Sequence, residues 1–399
     1  MTSEEHQTPP LSTQPQKHII VVGAGITGLT TALKLNSDRE SAQYHITIIA
    51  SHLPGDESIN YTSPWAGADW SPQATSSPAD AEMREWDKRT YDMWTRILEA
   101  NHDKADYIGM GFKECRTYWG KEGPETEGLD GRGLWWRDVV KDFEVLNLEK
   151  EKGIPQGAVM GVKYQSICLN VPQHLRYLMD RVCKDGVRVI KADVDVSNGL
   201  EGVAKDAKRI LMDEITDVKE DDIFALINCT GLGARHFVGD VEAAKLFPIR
   251  GQTVVVKGES PMDRTYKNFP SSSSTDDEST YVIPRPGSGT TVFGGCKQVG
   301  NWDPNVDEEL SERIIERIKR WGLAEELRLE DGKGDFELLK GQVGLRPGRK
   351  GGPRAEVEGN EKIEGLWVVH SYGHAGAGYQ NSAGCSEKIA NLVEELAGR

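Results

Sequence analysis

Residues 18–35, HIIVVGAGITGLTTALKL, constrain this chain more than any other stretch. An unbroken apolar strand, His18 to Val22, runs without a spacer into Gly23, and the helix that follows carries Ile26, Leu29 and Leu33 on one face. A second strand, Tyr44 to Ala50, completes a β-α-β unit of about 30 residues. Gly23, Gly25 and Gly28 stand at the strand-to-helix junction as G-x-G-x-x-G, with Ile26 and Thr27 inside the motif. The first glycine permits the tight turn, the second lets the backbone approach a pyrophosphate, and the third lets helix and strand pack closely. The helix N-terminus adds unpaired N–H groups and a partial positive charge. The motif therefore predicts dinucleotide binding. The acidic residue that usually reads the adenosine ribose is replaced at the end of the second strand by Ser51 and His52. Ribose recognition then falls to Ser51 or to backbone, and this motif alone does not separate NAD from FAD.

Size and charge narrow what else the chain can be. At 399 residues and 37% hydrophobic it can fill about two domain-sized cores. Its 63 acidic against 48 basic residues, net charge -15, argue against nucleic acid as a partner and leave a small solute. No run of about 18 apolar residues exists to span a bilayer, so no membrane is expected. The opening MTSEEHQTPPLSTQPQK, with acidic residues and no apolar core, reads as a disordered tail rather than a secretory signal. Six cysteines without a C-x-x-C pair read as reduced, buried thiols, and no metal site is expected.

Further along, residues 81–100 read as a surface helix with Trp86, Met93, Trp94 and Leu98 on its buried side. VRVIKADV (187–194) and DIFALINCTG (222–231) read as strands, the second apolar enough to be covered on both faces of a parallel sheet. A strand that rejoins the first sheet some two hundred residues later implies interleaved domains. RGQTVVVKG, STYVIPR and TTVFGGCKQVG alternate in the manner of an antiparallel sheet, followed by a helix bearing Leu310, Ile314, Ile318 and Trp321. NFPSSSSTDDEST (268–280) is a polar loop with the composition of a flexible lid.

Two more glycine-rich turns follow strands, NCTGLGA (228–234) and GHAGAGYQNS (373–382). The second decides for a flavin, because a helix N-terminus there can stabilise negative charge on the pyrimidine end of a reduced flavin, which an NAD enzyme does not need. With VVGAGITGLTTA, TSPWAGADW (62–70), PIRGQTVVVK (248–257), YVIPRPG (281–287) and VGLRPGR (343–349), these motifs resemble the D-amino-acid oxidase family, flavoenzymes of the glutathione-reductase-like FAD fold. The resemblance runs along most of the chain, with little between residues 100 and 160.

That resemblance implies an α/β fold in which a Rossmann-like FAD domain (18–75, 165–245 and 340–399) is interleaved with an α+β, antiparallel-sheet substrate domain (76–164 and 246–339), after a tail of residues 1–17. It implies FAD as cofactor and small D-amino acids and dioxygen as partners, in a monomer or homodimer. Arg346 is expected to bind the substrate carboxylate, Tyr281 to be its hydroxyl partner, and the backbone of Gly376 to face the amine and the flavin ring. FAD contacts are expected from Gly23, Gly25, Ile26, Thr27, Gly28, Ser51, Ala66, Gly67, Ala68, Val194, Gly231, Gly376, Gly378, Tyr379 and Gln380. The activity implied is oxidative deamination to a 2-oxo acid, ammonia and hydrogen peroxide, with neutral D-amino acids preferred and acidic ones, as in a D-aspartate oxidase, the alternative. Yeast members of the family carry a tyrosine at Lys297, a serine at Gly376 and Arg-Asp at Ser51-His52. Within VGLRPGRKGGPR (343–354), Arg349, Lys350 and Arg354 read as surface. His374 reads as a structural histidine bonded to backbone. The family is commonly peroxisomal; the sequence ends in LAGR without an S-K-L-like tripeptide, so a peroxisomal or a cytoplasmic location is expected.

Overall fold

In the computed structural model, which describes residues 17–37, 44–269, 277–329 and 334–398, the first apolar run is the strand Lys17–Val22. It lies inside a six-stranded sheet in the order Arg354–Val357, Trp367–Tyr372, Ile223–Asn228, Lys17–Val22, Tyr44–Ala50, Arg188–Lys191. All neighbours in this sheet are parallel except the edge pair Arg354–Val357 and Trp367–Tyr372. Successive side chains of a strand point to opposite faces. Ile19 and Val21 therefore meet Leu29, Ile389 and Val393 from the helices Ile26–Ser37 and Ser382–Ala397 on one side. Ile20 and Val22 meet Val203, Ala207 and Ile210 from the helix Gly199–Glu214 on the other. Cover on both faces explains why all of Ile223–Asn228 is buried, as its apolar run implied. VRVIKADV supplies only the short edge strand Arg188–Lys191.

The second sheet has nine strands among the described residues. Leu246–Lys257, Glu278–Arg285 and Thr290–Cys296 pair antiparallel as their alternation suggested, and the helix Glu308–Arg320 lays Leu310, Ile314 and Ile318 on them, ending before Trp321. One pair departs from the antiparallel expectation: Met110–Trp119 runs parallel to Met262–Lys267. These strands are far apart in the chain, so no hairpin fixes their direction. The expected boundaries at 165 and 340 fall inside Met160–Leu169 and Leu338–Arg349, both strands of this second sheet. In the helix Ala81–Ala100, Trp86, Trp94 and Leu98 are buried as expected, but Met93 is 36% exposed. It stands one residue, about 100°, round from Trp94, and the larger ring has taken the core. The tail 1–16 and the centre of the expected lid, 270–276, lie outside the described residues. Among the described residues no helix is long and apolar enough to cross a membrane, and no acid, His or Cys cluster has metal-ligand form.

Candidate active site

A glycine turn at the carboxyl edge of a parallel sheet opens a crevice. Here that crevice widens toward the second sheet into a cavity of ≈ 1060 Å³. Gly23, Gly25, Ile26 and Thr27 form one wall, with Ser51, Val194 and Gly231 along the sheet side. Ala66, Gly67 and Ala68 border it from the WAGA segment, and Gly376, Gly378, Tyr379 and Gln380 from the C-terminal turn. Tyr281 and Arg346 border it from the second sheet. Gly28 alone of the expected residues stands off the wall. A Cβ there would lie 1.9 Å from the carbonyl oxygen of Gly23, so this glycine closes helix onto strand.

Backbone clearance shapes the end that holds Arg346. Its guanidinium donates from Nη1 to the carbonyl oxygen of Cys296 at 3.1 Å. A Cβ on Gly251, in the paired strand, would lie 2.4 Å from that Nη1, so only glycine leaves the fork in place. Tyr281 pairs across the sheet with Gly294, where a Cβ would lie 1.8 Å from the ring. Burial raises the Tyr281 phenol, with Arg346 pulling the other way, so the hydroxyl stays a neutral donor. Lys297 also borders the cavity: its side chain is open to that space, yet protein encloses it elsewhere, and burial, then Arg346 and Lys267, lower its ammonium against the pull of Glu125. The other cations of the 343–354 stretch divide differently from the surface reading. Lys350 is exposed, but Arg349 pairs with Glu242 at 2.5 Å and Arg354, buried, pairs with Glu356 and Glu358. Glu242, distant in the sequence, and the nearby Glu356 and Glu358 make burial of these guanidiniums tolerable.

Residues 18–392 match the family described as DAO, FAD dependent oxidoreductase. The chain belongs to that family. A D-amino-acid oxidase from Fusarium vanettenii is 33% identical, covering 95% of this chain and 97% of its own. One from Schizosaccharomyces pombe is 32% identical, covering 92% and 93%. A D-aspartate oxidase from Talaromyces thermophilus is 30% identical over 94% of each chain. Among solved structures, glycine oxidase from Geobacillus kaustophilus shares the fold, with a TM-score of 0.64 at 17% identity over 96% of this chain and 95% of that one.

The cradle fits the FAD of this FAD-dependent oxidoreductase. Gly23 has φ +109°, and a Cβ on it would lie 2.6 Å from the carbonyl oxygen of Cys229, so the backbone comes bare to the cavity. Ser63, Tyr61 and Arg285, not singled out in the sequence, hold that cradle together with Tyr379. Ser63 Oγ accepts the Ile26 N–H at 3.0 Å, Tyr61 donates its phenol to the Ala24 carbonyl at 2.8 Å, and Tyr379 donates to the Ser63 carbonyl at 3.0 Å. Arg285, 5% exposed, donates to the carbonyl oxygens of Gly67 and Ala66 at 3.1 and 3.2 Å. Its burial lowers its pKa to about 10. An arginine closing the strand Glu278–Arg285, directly after the run Tyr281–Pro284, was the available signal, since a buried guanidinium needs acceptors. The C-terminal turn differs from expectation. Its helix begins only at Ser382, and the Ala383 and Gly384 N–H groups face Thr90 Oγ1 at 3.2 and 3.5 Å, so the short turn Ala375–Ala377, not the helix end, meets the cavity. His374 borders the cavity, its partner is the Asn381 side chain at 3.4 Å rather than backbone, and burial lowers its pKa to about 4.

Proposed function

We propose that this protein oxidises D-amino acids to 2-oxo acids, releasing ammonia, with dioxygen as the final acceptor and hydrogen peroxide as its product. The observation that carries the reading is the guanidinium of Arg346, set across one cavity from the glycine cradle for FAD. FAD, when bound, accepts the Cα hydrogen with its electron pair. The protein's part is placement. Arg346 offers the substrate carboxylate a planar fork of donors, and Tyr281 adds a neutral hydroxyl on the same wall. Holding the reacting atoms within about 3–3.5 Å supplies several kcal/mol of the barrier from entropy lost on binding. The relatives named D-amino-acid oxidase support this substrate class. Anaerobic addition of D-alanine should bleach the yellow flavin absorbance, and L-alanine should not. Flavin that stays yellow with every D-amino acid tried would overturn the reading.

A second reading, acidic D-amino acids, is favoured by one observation: Lys297 faces the substrate end of the cavity beside Arg346. A partly solvated pair with a second carboxylate is worth about 0.2–1 kcal/mol, so neutral substrates stay preferred. Lys297→Gln should lower the D-aspartate to D-alanine ratio of kcat/KM by up to about fivefold. An unchanged ratio removes Lys297 from side-chain selection.

A further inference from the structure

Behind the glycine turn NCTGLGA lies a chain of polar groups that the reaction described above does not use. Asn228 ends the strand Ile223–Asn228, and His370 stands opposite it on the neighbouring strand Trp367–Tyr372; both are fully buried. Asn228 Oδ1 accepts the Thr230 backbone N–H at 3.2 Å and the Thr230 hydroxyl at 2.8 Å. Asn228 Nδ2 faces His370 Nδ1 at 3.1 Å, and His370 Nε2 faces Glu358 Oε2 at 2.8 Å. Glu358, just past the edge strand Arg354–Val357, also accepts from Arg354 at 2.9 Å. At the other end, Thr230 and Gly231 border the cavity. The Cys229 carbonyl between Asn228 and Thr230 packs on the bare Cα of Gly23, where a Cβ would lie 2.6 Å from it. The contacts thus run from the edge of the sheet to the first glycine of the dinucleotide motif.

Donor and acceptor chemistry places each hydrogen along this chain. A backbone N–H can only donate, so the amide atom of Asn228 that meets Thr230 is the oxygen, and the atom that meets His370 is the NH2 group. An NH2 group can only donate, so His370 Nδ1 carries no proton. The ring hydrogen is therefore on Nε2, where the Glu358 carboxylate accepts it. The contact with His370, aided by the Arg354 charge, holds Glu358 down at about 2, so it stays an anion. Burial lowers the pKa of His370 and Arg354 adds to the lowering, against the pull of Glu358 and Glu356. Tyr372 lies edge-on to the ring at 5.5 Å; its phenol accepts from Arg354 and donates to Glu242, each at 3.2 Å, and burial raises it to about 12, so it brings no charge.

We propose that His370 is a positioning residue for FAD: with Nδ1 bare it holds Asn228, and through Asn228 the Thr230–Gly231 backbone, in the form that takes the cofactor, and a proton on Nδ1 loosens that turn and releases FAD. The step is a proton transfer alone. The Nδ1 lone pair takes a proton from solvent, the hydrogen bond from Asn228 Nδ2 is lost, and two donors are left facing each other at 3.1 Å. The amide relieves this only by turning its oxygen toward His370, which takes that oxygen from both Thr230 donors. The turn then loses its anchor, and the Cys229 carbonyl that lies against Gly23 moves with it. The proposal needs FAD and no particular substrate, so it stands apart from the D-amino-acid reading.

Release of FAD from the loaded protein tests this, followed as the rise of free-flavin fluorescence on dilution across a pH series. Because the His370 pKa is lowered in the folded protein, its contribution is whole above the ordinary histidine value of about 6.5 and fades as pH falls below it. Wild-type affinity for FAD should there fall by up to about tenfold per pH unit. His370→Asn sets an amide oxygen to accept from Asn228 and has nothing to protonate, so its affinity should show no acid limb. His370→Leu leaves the Asn228 NH2 group without an acceptor and should bind FAD at least about tenfold more weakly than His370→Asn at neutral pH. If the position 370 variants do not fold, Asn228→Asp decides: its second oxygen accepts from a protonated Nδ1, so acid should no longer weaken FAD binding. His52, His236 and His374 also border the cavity and are unchanged in these variants, so a limb owed to any of them would persist. A limb that persists in His370→Asn or in Asn228→Asp, or a wild-type affinity that stays level from about pH 8 to about pH 5, overturns the proposal.

Discussion

Arg346→Ala should lower kcat/KM for D-alanine by about thirty-fold to several thousand-fold, chiefly through KM, while the visible flavin spectrum stays that of wild type. The range is the about 2–5 kcal/mol lost when a desolvated carboxylate is left without its charged partner. FAD should be retained because Arg346 belongs to the second sheet, its guanidinium held by the Cys296 carbonyl rather than by the G-x-G-x-x-G turn. Arg346→Lys should recover only part of the loss, since a single ammonium keeps the charge without the two-pronged geometry. Steady-state kinetics of the three proteins checks this, and near-wild-type KM in Arg346→Ala would remove the residue from carboxylate binding.

Gly28→Ala should yield a colourless protein of lowered melting temperature. The added Cβ would lie 1.9 Å from the Gly23 carbonyl oxygen and 3.4 Å from the Cys229 side chain. A backbone oxygen cannot swing aside as a flexible side chain can, so the helix Ile26–Ser37 must lift from the strand and open the cradle. The strain should reach at least the upper end of the about 1–3 kcal/mol usual for overpacking. Gly376→Ala is the contrast: its Cβ would meet the Gln73 side chain at 3.7 Å and Arg346 Cδ at 3.8 Å, ordinary contacts, so fold and FAD should be kept. Flavin content by absorbance and a thermal melt separate the two variants, and a yellow, fully stable Gly28→Ala would refute the packing role.

The nucleotide half of this protein was legible in the sequence because its signals are local. G-x-G-x-x-G states the backbone clearance of a single turn, and the uninterrupted apolar run Ile223–Ile227 states burial on both faces; neither depends on what lies far along the chain. The family followed from several such local signals read together. Other features depended on partners that local sequence does not name. Arg349 looks like a surface cation until Glu242 is brought against it, and Arg285 looks like one more strand residue until the carbonyls of Ala66 and Gly67 arrive more than two hundred positions away. The helix after the C-terminal turn starts later than its glycines suggest because Thr90 takes its first N–H groups. Asp263 is an ordinary surface-type residue in the sequence, and only the pairing of Met110–Trp119 with both Met160–Leu169 and Met262–Lys267 walls it in between Cys115 and Cys168. Turn geometry and burial pattern are properties of short segments, whereas ionisation and pairing depend on distance and dielectric, which exist only once the sheets have closed.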